Sequence, residues 1–167
     1  GGNVSNNTIR PYFKMVNNSG SEVALPQLTV RYWITPENFT GVINGWIDYA
    51  RMNSSKITMQ YVPASPVRQG GLGYMQYSFT PAAGNLLAAA NTGIIQTRFS
   101  NSDWSILDER DDYSRLATSD YIANSKMTVY RNGVLVWGTE PAVAAPVLIV
   151  KALTQNKSAG NNTISTT

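Results

Sequence analysis

Residues 127–137 read MTVYRNGVLVW, two runs of β-branched and aromatic residues on either side of Asn132-Gly133. A two-residue hairpin of type I′ needs positive φ at both central positions, which Asn and Gly supply at low cost. The stretch therefore predicts a hairpin that joins residues 127–130 to residues 135–137. Working outward, the same period of two recurs at residues 9–16, 28–34, 45–51, 57–62, 73–79, 93–99 and 126–131, with Gly, Pro, Asn and Ser clusters between them. Residues 82–90, AAGNLLAAA, are the one run of helix formers, but it is short and holds Gly84, so it reads as a loop or strand approach. The fold class that follows is all-β, an antiparallel β-sandwich or jelly roll.

Composition narrows the chemistry. The chain has 167 residues, enough for one domain with a sizeable core. Charged residues make up 14%, against roughly 25% in ordinary soluble domains, while Asn, Ser, Thr, Gly and Tyr are plentiful. Such a surface suits uncharged ligands such as sugars. The net charge is +3 and the basic residues stand singly, so the electrostatic footprint of a nucleic-acid partner is missing. No apolar run approaches the ~20 residues of a membrane helix. Cysteine and histidine are both absent, which removes disulfides, thiolate and Ser-His chemistry and the commonest metal ligand.

Alternation assigns faces. In 28–34, Leu28, Val30, Tyr32 and Ile34 oppose Thr29, Arg31 and Trp33; in 73–79, Met75, Tyr77 and Phe79 oppose Tyr74, Gln76 and Ser78. The first set of each is core. If these strands are neighbours, Arg31, Trp33, Tyr74 and Gln76 share an outer face, with Tyr12 alongside, and form an aromatic-polar groove. Residues 98–113, RFSNSDWSILDERDDY, set Trp104 in polar company four residues ahead of Asp108, Glu109, Asp111 and Asp112. A tryptophan in that setting reads as an exposed contact. The clustered carboxylates repel one another unless a cation neutralises them, and hard oxygen ligands suit calcium.

The blocks IRPYFKMVNN, LTVRYWIT, GWIDYA, RFSNSDWS, DDYS and GVLVWGTEP, in that order from about Asn6 to Pro141, resemble the family 3 carbohydrate-binding modules, the cellulose-binding domains of scaffoldins and bacterial cellulases. The resemblance implies a jelly roll of about nine strands with a structural Ca2+, secreted to the cell exterior. It also implies a flat strip that lies on cellulose or a related β-glucan, formed by Asp48, Tyr49, Arg98 and Trp104, with Gln96 and Ser119 as polar anchors. Aromatic rings suit that task because a pyranose presents C–H groups on its face. A further strip tyrosine, common in strong binders after the DYA block, has no counterpart in ARMNSSKITM. The implied calcium ligands are the carbonyls of Thr35 and Asp108 and the side chains of Glu37, Asp111 and Asp112.

The expected role is a non-catalytic module that adsorbs to cellulose and carries an attached cellulase or scaffoldin to plant cell-wall polysaccharide. The alternative is a member with a weakened strip that assists a catalytic neighbour or mediates assembly through the outer groove. Glycosidases need two carboxylates across a cleft, whereas the acidic residues here crowd one loop and Asp48 lacks a partner acid. Residues 1–141 read as the module and 142–167 as linker and extra strand. Asn161-Asn162-Thr163-Ile164 repeats Asn6-Asn7-Thr8-Ile9, as at the opening of a tandem second copy. The apolar run at 147–153 is then a candidate for strand exchange, in its own domain or a neighbour's.

Overall fold

The computed structural model describes residues 4–118 and 120–145. Ser119 and the run at 147–153 lie outside the described residues. In chain order the strands are β1 (Ser5–Asn6), β2 (Tyr12–Phe13), β3 (Val23–Ala24), β4 (Leu28–Ile34), β5 (Ile43–Ala50) and β6 (Ile57–Arg68), followed by β7 (Gly71–Phe79), β8 (Asn85–Leu86), β9 (Ile95–Asn101), β10 (Leu107–Asp108), β11 (Thr128–Arg131) and β12 (Val134–Trp137). Among the described residues helical structure is limited to short 3-10 turns, one of them at Pro81–Ala83, overlapping the start of the alanine-rich run.

Two sheets carry the fold. One has five strands in the order β12-β11-β4-β7-β6, the other three in the order β2-β9-β5, and every pairing is antiparallel. The β11–β12 hairpin closes on Asn132 at φ 50° and Gly133 at φ 81°, the two positive values that the Asn-Gly pair predicts. The stretch 9–16 is less regular than its pattern. Burial alternates along it, yet only β2 is a strand proper, flanked by single bridges from Ile9 to Phe99 and from Val16 to Asn91. Pro11 is the physical reason, since it has no N–H to give the ladder. Its carbonyl is used instead, accepting from the Thr97 N–H at 3.2 Å and the Thr97 hydroxyl at 2.8 Å.

The core lies between the sheets and is built from the faces that alternation assigns. Leu28, Val30, Tyr32 and Ile34 of β4 and Met75, Tyr77 and Phe79 of β7 meet Ile95 and Phe99 of β9 and Phe13 of β2. Phe13 packs on Tyr77 at 4.9 Å and Tyr32 on Phe99 at 6.1 Å between ring centres. The Thr97 hydroxyl spends its proton on Pro11, so the Tyr77 hydroxyl donates to Thr97 across 3.1 Å. One hydroxyl chain thus ties the two sheets together inside an apolar core.

The outer face of the larger sheet differs from the expected groove. Arg31, Trp33, Tyr74 and Gln76 do share that face, because Arg31 pairs with Gln76 and Trp33 with Tyr74. Tyr12 does not join them; it stands on the other sheet, opposite Gln96. Trp33 is only 1% exposed. The Arg31 guanidinium lies 4.2 Å over Tyr74 and 3.9 Å over Tyr130, and Glu140 bridges Arg31 at 3.8 Å and Arg68 at 2.7 Å. Pro141 is held by Arg68 through its carbonyl at 3.0 Å and sits against Gly71 beside Trp33. The groove is therefore filled by the chain that follows β12. Pairing continues past it, with Gln69 donating to Ala142 and Ala144 to Val67, both at 2.9 Å, so residues 142–144 are fastened to the end of β6.

Candidate functional site

The small sheet presents a face of a different character. Trp46 and Arg98 are cross-strand partners on β5 and β9, and Tyr49 pairs with Gln96 two positions along β9. Between these pairs the register slips at Asp48. The slip is a β-bulge, which adds one residue to β5 and turns both Asp48 and Tyr49 outward, where strict alternation would expose only one. Asp48 uses that position to accept from Arg98 Nε at 2.9 Å. So held, the Arg98 guanidinium lies 4.8 Å from the Trp46 ring centre, a cation–π contact.

Trp104 completes the row from a loop. Its ring is 6.0 Å from that of Trp46 and within 14° of parallel, and it is 51% exposed. The turn that carries it is closed by the Trp104 N–H on the Asn101 carbonyl at 3.0 Å, by Asn101 Nδ2 on Ser105 Oγ at 2.9 Å, and by the Ser105 N–H on Asp103 Oδ1 at 2.9 Å. The Ser102 N–H anchors the turn to Val42, next to β5. Trp104 itself has φ 60°, a left-handed conformation that is an outlier for a bulky residue. Such strain persists only where surrounding contacts impose it, and it gathers at working sites. Tyr49 is 49% exposed. Trp104, Trp46, Arg98 and Asp48 are thus joined in one group on this face, with the Gln96 and Tyr49 pair two positions further along β9.

Trp46 is the member that the sequence reading left out. Its signal was present: it lies two residues before Asp48 in a strand, hence on the same side up to the bulge. Tyr12, assigned to the groove, belongs on this face instead. Both are corrections of position that follow from strand pairing.

The acidic loop packs against the end of β4. The Thr35 N–H donates to Asp112 Oδ1 at 2.7 Å, and the Asp108 N–H donates to Glu37 Oε1 at 2.7 Å. Thr35 Oγ1, Glu37 Oε2 and Asp112 Oδ2 are buried without any protein partner. Buried oxygens without partners carry a desolvation cost that a proton, a water or a cation meeting them would lower. Burial pushes the Asp112 carboxyl up to about 8, with repulsion from Glu37, Asp111 and Glu109 adding to it and the Thr35 N–H opposing. Glu37 is raised too, chiefly by burial. The Asp108 side chain turns away to Arg110, which holds its carboxyl down to about 2, so only the Asp108 backbone faces this spot. Among the described residues no three acidic side chains gather tightly enough to hold a metal by carboxylates alone.

The cellulose binding domain family matches residues 2–138. This chain belongs to that family. The beta-mannanase/endoglucanase A of Caldicellulosiruptor saccharolyticus is 38% identical over 86% of the chain, and the endoglucanase A of Paenibacillus lautus is 36% identical over 83%. The chain spans only 11% and 20% of those two relatives' lengths. Among solved structures, the CBM3b module of the major scaffoldin subunit of Acetivibrio cellulolyticus superposes with a TM-score of 0.79 at 30% identity, covering 84% of this chain and 92% of that one. The cellulose binding domain seen here is accordingly an antiparallel jelly-roll sandwich, and its family is one of binding modules rather than catalytic domains.

Proposed function

We propose that this module adsorbs to cellulose, or to a closely related β-glucan, through the line Trp104–Trp46–Arg98–Asp48, with Tyr49 and Gln96 extending it. The observation that carries the reading is the half-exposed Trp104 indole, stacked on Trp46 with ring centres 6.0 Å apart, on the same sheet as the exposed Tyr49 and a guanidinium that Asp48 holds in place. Flat, weakly hydrated groups set in a row gain dispersion and hydrophobic energy against the C–H faces of successive pyranose rings. A flexible charge would not. The module requires no chemistry of its own; it brings an attached cellulase or scaffoldin to plant cell-wall polysaccharide outside the cell. Ser119 remains a proposed polar anchor on the evidence of its sequence position alone.

A calcium ion fits the spot where Thr35, Glu37 and Asp112 leave oxygens unpaired. Too few carboxylates gather there to bind it alone, so Thr35 and Asp108 would add backbone carbonyls and Asp111 its side chain, a mixed oxygen set that calcium accepts. Its task is structural, pinning the turn after β4 to the loop that ends at Asp112.

The test is retention on microcrystalline cellulose. Trp104→Ala and Tyr49→Ala are each expected to lower retention relative to the unaltered module. Full retention by both would move the binding surface elsewhere and sink the reading.

A further inference from the structure

The proposed strip uses the smaller sheet; the larger one ends in a strand of unusual character. β12 pairs with β11 on one side, and its other edge is free among the described residues. A strand with one face on the core alternates buried and exposed positions, but Val134, Leu135, Val136 and Trp137 are all open to solvent, from 41% to 67% exposed. The register shift between Val129 and Tyr130 contributes, since it leaves Val136 without a partner on β11. Four consecutive apolar residues on a free edge, with no charge and no proline among them, are a template for a further strand. β6, at the opposite edge of the same sheet, is defended instead. It carries Pro63, Pro66 and Arg68, and residues 142–144 are fastened to its end.

We infer that the free edge of β12 accepts residues 147–153 of a second copy of this chain as an added strand. The run reads VLIVKAL, long enough to lie along all of β12 and rich in the β-branched residues that suit a ladder. A molecule cannot deliver this run to its own β12. Ala144 is held to Val67 of β6, and in the order β12-β11-β4-β7-β6 four strand spacings of about 4.8 Å, roughly 19 Å in all, separate β6 from β12. The three residues from Ala144 to Val147 span at most about 10 Å. The donor is therefore a different copy. Backbone hydrogen bonds supply the affinity of such strand addition, and covering the open side chains of β12 adds to it. Each copy offers one donor run and one acceptor edge on different parts of its surface, so the contact is heterologous.

The experiment follows weight-average mass by light scattering over a rising concentration series, with far-UV circular dichroism to show that each variant is folded. The unaltered chain is expected to climb from the mass of a monomer to that of a dimer or beyond. Ile149→Pro removes an N–H from the donor run, and Val134→Lys/Val136→Lys places charge on the acceptor edge at two exposed positions, a change that blunts an edge without touching the core. Each variant alone is expected to stay monomeric. Mixed, each supplies what the other lacks, and a one-to-one dimer is expected. An unaltered chain that remains monomeric throughout, or a mixture of the two variants that does, would overturn the inference. So would self-association that survives Ile149→Pro, which would mean that β12 edges pair with each other.

Discussion

Trp46 joins the members of the proposed binding surface, stacked with Trp104 at 6.0 Å and with the Arg98 guanidinium 4.8 Å from its ring centre. Its removal deletes a ring and releases two neighbours, so Trp46→Ala is expected to weaken adsorption to cellulose tenfold or more, about 1.4 kcal/mol, with the melting temperature nearly unchanged. Depletion isotherms beside a thermal melt read both. Asp48→Asn keeps an acceptor for Arg98 but loses the charge, and its expected loss is smaller, about two- to fivefold in the same assay. Thr97→Val is the contrasting case. It leaves the buried Tyr77 hydroxyl without its partner, and the Pro11 carbonyl with only the Thr97 N–H, which costs about 1–3 kcal/mol of stability, and leaves adsorption per folded molecule unchanged. At this scale Trp104, Asp48, Tyr49 and Arg98 are legible in the sequence, by polar context and by resemblance. Trp46 is named by neither, although its place two residues before Asp48 and opposite in alternation to Ile43 and Ile47 turns it outward; its pairing with Arg98 and stacking with Trp104 come only from the fold.

Among the elements, the turn after β4 and the acidic loop are held to each other by two N–H···carboxylate bonds and by whatever satisfies their three orphaned oxygens. Without a cation, Asp112 is a buried carboxyl whose folded value, about 8, lies above its ordinary 3.8. A group raised in this way favours the folded state while protonated, and that contribution fades as pH climbs through the window from about 4 to 8. The chelated protein is therefore expected to lose melting temperature between pH 5 and pH 8.5. Added calcium should reverse the loss and release protons near pH 7, because the ion takes the ionised carboxylate. Asp112→Asn should raise the stability of the chelated protein at pH 8 and abolish the gain from calcium. A flat melting profile in EDTA, with no response to calcium, would remove the ion from the account. Strands and hairpin were readable from period and turn residues at this level. What stayed hidden was the fate of the outer groove: alternation puts Trp33 and Tyr74 on that face, but only the return of Glu140 and Pro141 across it shows the face to be closed.

Over the whole molecule, the two sheets divide the work. The larger sheet covers Trp33, Tyr74 and Tyr130 with its own chain, while Tyr49 and Tyr12 of the smaller sheet, and Trp104 on the loop beside it, stay open to solvent. Adsorption through stacking on an uncharged polymer depends little on ionic strength, since screening acts on charges and not on dispersion. Raising salt from low to about 1 M, where the screening length falls to about 3 Å, is expected to change the partition constant less than twofold. A steep fall would indicate that the scattered Lys and Arg residues, and not the rings, hold the surface. The most direct measurement compares adsorption isotherms on microcrystalline cellulose for the unaltered module, the Trp46→Ala/Trp104→Ala double variant, and Gln76→Ala on the opposite sheet. The account predicts that the double variant loses nearly all specific adsorption while Gln76→Ala binds as the unaltered module does. A double variant that still binds fully, or a Gln76 variant that does not, would contradict it.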